Sequence, residues 1–208
     1  MDERLKLYSA KQLSDLYQAG NRVFGVSKTY PHAAKQMPNE DKLRGYTGEQ
    51  IVSGLLNLNV LDQEEMYVCH SVGTHDESQG QTDHIVIYKN KILIVETKTY
   101  NGYSEIRISK DNIAHGLHKG VECRAADNKI GNKIKIYQKR FPNRRVEGLL
   151  TIARYGVITK SLSNSYDATS ISEFQNKIDK FVSSAKNIKE DAWPTVKFFG
   201  AICIRDLN

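Results

Sequence analysis

Two carboxylates and an ammonium stand in this sequence where buried strands have no need of them. In QTDHIVIYKNKILIVETKTY, Gln81 to Tyr100, the runs Ile85 to Tyr88 and Ile92 to Val95 flank a short polar turn, the pattern of a hairpin. Asp83 stands just before the first run, and Glu96 and Lys98 close the second. Side chains alternate faces along a strand. Glu96 and Lys98 therefore share a face with Ile92 and Ile94, and Gln81 and Asp83 share one with Ile85. A hairpin turning around Lys89 to Lys91 brings Asp83 near Glu96. Two neighbouring carboxylates repel, and burial raises the cost of both charges. A divalent cation relieves both, and Mg²⁺ commonly takes one or two carboxylates with waters and phosphate oxygens. Such an ion acidifies a bound water and offsets charge at phosphorus, and a lysine two residues from a ligand can orient that water. The chemistry these residue types suggest is phosphodiester hydrolysis. A structural ion-pair network at a strand end accounts for the same residues equally well.

The elements that must position these groups are readable in outline. Thr47 to Gln50, TGEQ, has the form of a capping box, and Ile51, Val52, Leu55 and Leu58 follow at helical spacing, which predicts a helix from about Gly48 to Asn57. Glu49 would sit in its first turn, where the helix dipole favours a carboxylate and from which it could join the acids. MYVCHSV reads as a strand, GTHDESQG as a loop and YSEIRIS as a half-buried strand. Residues 112–124 read as loop with some helix. Ile130, Ile134, Tyr137 and Phe141 form a helical stripe ended by Pro142, and EGLLTIARYGVIT reads as a buried strand. Ser170 to Glu173 would cap a helix with Phe174, Ile178 and Phe181 inward, and TVKFFGAICIR would close the chain as a strand. At the other end, Ser9 to Gln12 would cap a short helix ending at Gly20, and residues 21–42 read as irregular. The expectation is an α/β sandwich around a mixed sheet, with residues 1–45 as an extension and 46–208 as the domain.

The chain has 208 residues and a formal charge of +6, with three scattered cysteines, Cys69, Cys123 and Cys203. That is the size of one domain, and the cysteines suggest reduced thiols rather than a disulfide framework. No apolar run spans a bilayer and MDERLKLYSA lacks the apolar stretch expected of a signal peptide, so the cytoplasm is the expected compartment. The positive charge permits a polyanionic partner. Lys129, Lys133, Lys139 and Arg140 decorate one predicted helix and could follow a phosphate backbone, although a solvated helix face explains such a run as well. Tyr100, Tyr103 and Tyr137 could stack on bases or pack at the rim. His115 and His118 near Cys123 make a poor zinc spacing, with no second pair. His70 and His75 flank the polar loop near the acids.

These motifs, in this order, resemble the nuclease-related domain family, a branch of the PD-(D/E)xK nucleases. The likeness rests on Gly48-Glu49, on Gln81-Thr82-Asp83-His84 opening a strand, and on Glu96-Thr97-Lys98 closing the next, followed by Tyr100 and Gly102. It covers about residues 46–102. The resemblance implies a restriction-endonuclease-like αβββαβ core, a mixed β-sheet flanked by helices. It implies a Mg²⁺-dependent nuclease (Mn²⁺ as a substitute) that cleaves nucleic acid, with DNA as the expected substrate, by metal-activated water. Asp83 and Glu96 would be metal ligands, with the Thr97 carbonyl as a further oxygen. Lys98 would be the catalytic lysine, Glu49 an auxiliary acid and metal ligand, and Gln81 a contact to phosphate or water. His84 would point to the other face in a structural role. Thr82 stands in place of an aliphatic residue, and the Asn-Pro that introduces a Gln-bearing helix in the family is absent before Gln138. The rival expectation is a non-catalytic nucleic-acid-binding module on the same fold. No membrane partner is expected, and homodimerisation is left open.

Overall fold

The computed structural model describes residues 22–25, 40–73, 81–99, 102–127, 129–185 and 192–201. The expected helix at Ser9 to Gly20 lies outside them, as do His75 and Tyr100. After β1 (Val23–Phe24) come α1 (Glu40–Asp62), β2 (Met66–Val72), β3 (Thr82–Tyr88), β4 (Lys91–Lys98), β5 (Glu105–Ile108), β6 (Ala114–His118) and β7 (Val121–Asp127). The chain continues through α2 (Lys129–Arg140), β8 (Arg145–Ile152), β9 (Ile158–Ser161), β10 (Tyr166–Ser170), a 3-10 turn at Ile171–Glu173, α3 (Phe174–Ser183) and α4 (Trp193–Ala201).

The main sheet has six strands in the order β1-β2-β3-β4-β8-β10. The β2/β3 and β3/β4 pairs are antiparallel, whereas β1/β2, β4/β8 and β8/β10 are parallel, so the sheet is mixed. The αβββαβ order is present as α1, β2, β3, β4, α2 and β8, with β5 to β7 inserted between β4 and α2. Those three strands and β9 form a second sheet in the order β7-β6-β5-β9.

Period-two alternation divides the main sheet between two cores. Ile85, Ile87, Ile92 and Ile94 face α2, α4 and the second sheet through Ile134, Val196 and Ile106. Val68, Val86, Leu93 and Val95 face α1 and α3 through Val52, Leu56, Phe174 and Ile178. A strand such as ILIV, buried on both sides, reads as a continuous apolar run for this reason.

Four expectations are corrected. Helix α1 begins at Glu40, not near Gly48, so TGEQ lies inside the helix and caps nothing. The TVKFFGA part of TVKFFGAICIR is not a strand: Trp193–Ala201 is helical, with Pro194 in the first turn, where a missing N–H costs little, and with Val196 and Phe199 buried three residues apart. A short apolar run with aromatic and β-branched residues does not declare its own period. Residues 112–124 are mostly the β6/β7 hairpin, turned at Lys119 and Gly120, which both have left-handed φ. EGLLTIARYGVIT breaks after Ile152 and resumes as β9 in the other sheet.

Candidate active site

The strands deliver three of the expected residues to one place. The β3/β4 register aligns His84 with Val95 and Ile85 with Ile94, so Asp83 lies at the level of Glu96 and Thr97. Asp83 Oδ2 accepts a hydrogen bond from the Thr97 amide at 2.7 Å. Lys98 Nζ stands 3.8 Å from Glu96 Oε2, outside hydrogen-bond range. The Glu96 side chain is 6% exposed and that of Lys98 33%, so the acid is enclosed and the lysine reaches solvent. The N–H and C=O of one strand residue point to the same edge, so the Thr97 carbonyl is directed to the Asp83 side. The β2/β3 pairing passes from His70–His84 to Val72–Thr82, and Ser71, opposite Asp83, takes a left-handed φ of 50°, a strained value for a non-glycine residue.

A fourth charged group enters from α2. Lys133 Nζ is 2.5 Å from Glu96 Oε1 and donates to the Gln81 carbonyl at 3.0 Å, with its side chain 2% exposed. This lysine was a phosphate-tracking candidate on a solvated helix face, and its observed position is interior, on Glu96. Lys129, Lys139 and Arg140 of the same helix are exposed, and Arg140 lies over the Phe198 ring at 5.2 Å. The signal for Lys133 was in the sequence: Ile130, Lys133, Ile134 and Tyr137 have the i, i+3, i+4, i+7 spacing of one buried stripe. A lysine in that stripe calls for a buried carboxylate as partner. Gln81 contributes its carbonyl to this contact.

Burial and the neighbouring Asp83 push the Glu96 carboxyl up to about 7, against the opposing pull of Lys133 and Lys98. Burial also raises the Tyr137 hydroxyl, and the Glu96 charge adds to the rise. The carboxylate pair is thus an electrostatically costly arrangement that cations relieve.

Helix α1 reaches the same strand ends through Gly48. A Cβ there would stand 2.7 Å from Thr99 Cγ2 and 2.9 Å from Ala153 Cβ, so only glycine lets the helix backbone lie this close. Glu49, half-buried, follows it. Among the described residues, no three His, Cys, Asp or Glu side chains gather at metal-binding distances, so Glu49 does not complete a three-carboxylate set.

Other candidates settle elsewhere. His84 and His70 lie on the opposite face of the sheet, both 1% exposed, with their Nδ1 atoms 2.8 Å apart. His70 belongs to strand β2, not to an exposed loop. His115 pairs with Glu122 at 2.6 Å, and His118 Nδ1 lies 2.9 Å from the Gly102 carbonyl, so the two histidines do not converge. Gln138 donates to the Arg144 carbonyl at 2.7 Å and accepts from the Val146 amide at 3.1 Å, bracing the turn into β8. Tyr103 and Tyr137 are buried.

A mixed sheet flanked by helices, with an acid pair and a lysine gathered at one end of two antiparallel neighbours, defines a restriction-endonuclease-like core. The family profile of the nuclease-related domain matches residues 44–153, just over half of the chain. The chain belongs to the nuclease-related domain family. It is also similar to an uncharacterised protein of Bacillus anthracis, 39% identical over 64 residues, which span 30% of this chain and 29% of that protein. No solved structure matches the chain. Among the described residues, no helix is long and apolar enough to cross a membrane.

Proposed function

We propose that this protein is a divalent-cation-dependent nuclease that hydrolyses phosphodiester bonds, with DNA as its substrate and Mg²⁺ as its ion. The observation that carries the reading is the convergence of Asp83, Glu96 and Lys98 at one end of β3 and β4, with Asp83 tied to β4 through the Thr97 amide. Family membership supports the same chemistry at the level of nuclease-related function.

The donor set fits a hard divalent ion. Two carboxylates and a peptide carbonyl are oxygen ligands, and since no third acid joins them at metal-binding distance among the described residues, the rest of the shell would fall to water and substrate. That composition suits Mg²⁺ and is poor for Zn²⁺. Asp83, Glu96 and the Thr97 carbonyl would hold the ion, which supplies acidification of water and neutralisation of charge at phosphorus. Lys98, partly exposed, is left to orient the attacking water and to receive negative charge from the phosphate. Lys133 fixes the Glu96 carboxylate from behind, so that the acid keeps one orientation as the substrate arrives. The exposed Lys129 and Arg140 provide sequence-tolerant attraction to phosphates.

The test is incubation of the purified protein with single-stranded and duplex DNA and with RNA, in Mg²⁺, Mn²⁺ or EDTA, beside Asp83→Ala, Glu96→Ala and Lys98→Ala. Cleavage that needs the ion and disappears in each variant is the expected result. Wild-type turnover by Lys98→Ala would remove the role given to that lysine. Salt-sensitive binding without product under any ion would favour the non-catalytic module.

A further inference from the structure

Three large apolar side chains stand in solvent within one eight-residue segment: Tyr155, Ile158 and Leu162, at 58%, 57% and 70% exposure. Single exposed apolar residues are ordinary, but this group starts at the candidate active site. The β4/β8 register ends at Lys98–Ile152, and the Ala153 amide donates to the Lys98 carbonyl at 2.9 Å. Tyr155 follows two residues later, so its Cα lies within about 7 Å of that of Ala153. Gly156, with φ +72°, then turns the chain into β9.

Strand β9 runs parallel to β5, with Ile158 opposite Glu105 and Lys160 opposite Arg107. Arg107 and Lys160 both contact Glu105, at 2.7 and 3.2 Å, so β5 and β9 bring two cations to one acid here. Arg154 is exposed as well, beside Tyr155. Tyr155 presents an exposed aromatic ring, whereas Tyr103 and Tyr137 are in the core. An open ring, apolar surface and excess positive charge, continuous with a phosphodiester-cleaving centre, are what a single strand requires. Its bases offer free faces for stacking and its phosphates a regular negative charge.

We propose that residues 154–162 form a track for an unpaired nucleic-acid strand, with Tyr155 stacking on a base next to the reacting phosphate. The proposal rests on the nuclease reading above and adds to it a preference for single-stranded substrate. A duplex gains little from the track, because its base faces are already stacked inside the helix.

Binding in EDTA separates this proposal from catalysis. Fluorescence anisotropy of a labelled oligo-dT, and of a blunt duplex of equal length, is measured with the full chain and with Tyr155→Ala and Tyr155→Phe. Loss of one stacked base should weaken oligo-dT binding by about 5- to 100-fold in Tyr155→Ala. Tyr155→Phe should stay within about twofold of wild type, and duplex binding should change little in either. Equal oligo-dT affinity in Tyr155→Ala, or an equal loss on duplex and single strand, overturns the track. So does a change in oligomeric state in Tyr155→Ala by light scattering, which would assign the apolar segment to contact between copies. Tyr155-dependent binding in a protein that cleaves nothing would sink the catalytic reading and keep the track. Lys98-dependent cleavage with no effect of Tyr155→Ala on binding would do the reverse.

Discussion

Strand β3 carries an aspartate and a histidine as successive residues, and the two faces they enter bury ionisable groups by opposite means. On the α2 face, Glu96 is buried in the company of cations, with Lys133 at 2.5 Å and Lys98 at 3.8 Å, and burial with Asp83 still pushes its carboxyl up to about 7. On the α1 face, His84 and His70 give up charge altogether. Their Nδ1 atoms share one proton across 2.8 Å, and His70 Nε2 meets Asn57 Oδ1 at 2.8 Å. The consistent assignment has His84 Nδ1–H donating to His70, and His70 Nε2–H donating to Asn57, which leaves both rings neutral. Burial pulls the His84 ring down to about 3 and pulls His70 down as well, its neighbour His84 adding to the effect. A neutral pair serves packing, and its solution is closed. An acid pair faced by lysines is what the proposed ion and phosphate would require, and its solution is open to exchange. The comparison teaches that burial alone does not distinguish the two faces, whereas the shielding of the buried acid does.

The largest break in that comparison is expected from Lys133→Met. It leaves the enclosed Glu96 oxygen without its partner, which should lower stability in urea by about 3–5 kcal/mol. The double variant Lys133→Met/Glu96→Gln should recover much of the loss, because no uncompensated charge remains. Parallel losses in the single and double variants would show that Lys133 acts through packing instead. Next in size, His84→Phe strands His70 Nδ1 and should cost about 1–3 kcal/mol, while Mg²⁺-dependent cleavage by the folded fraction stays near wild type. A loss of turnover beyond the loss of folded protein would join the histidine face to the site. Gly48→Ala should cost about 1–3 kcal/mol through overpacking against Thr99 and Ala153, despite the better helix propensity of alanine. A neutral result in thermal unfolding would mean that α1 can recede.

The pH dependence sharpens the contrast, because the two faces have opposite signs. The raised Glu96 carboxyl stays protonated in the folded protein while its unfolded counterpart ionises, so its contribution is lost as pH rises from about 4.5 to about 7. The lowered histidines are charged first in the unfolded chain, so their contribution is present above about 6.5 and lost as pH falls towards 3. Unfolding in EDTA should therefore vary less with pH in wild type than in Glu96→Gln, where the histidine slope stands alone. An identical pH profile in the two proteins would contradict the Glu96 assignment. The smallest effect on stability belongs to Lys98→Met, within about 1 kcal/mol for a partly exposed pair, set against the largest effect on cleavage.

Much of the site was legible because strand chemistry is local. Asp83 and Glu96 were placed on a common face by alternation, and the hairpin turn at Lys89 and Asn90 set their level. His84 was expected on the other face by the same rule, and it lies there. Where the reading failed, the missing information was long-range. TGEQ has the form of a cap, yet the helix runs through it, and Val52, Leu56 and Val60 stabilise α1 by packing on the sheet. The partner of Lys133 lies 37 residues away in sequence, so its spacing announced burial without naming the carboxylate. Tyr103 and Tyr137 proved to be core residues, and the exposed Tyr155 sits in a turn that no periodicity marks.

By itself the sequence determined the alternation that aims the acids, the apolar runs that bury β3 and β4, and the motif order that marks the family, because each depends on neighbours a few residues apart. Tertiary structure alone decided that Lys133 would close on Glu96, that Gly48 would bring α1 against the strand ends, and that the last apolar run would coil into a helix. Those outcomes depend on which surfaces remain to be covered once the sheet has formed, and that competition is settled by contacts between distant segments.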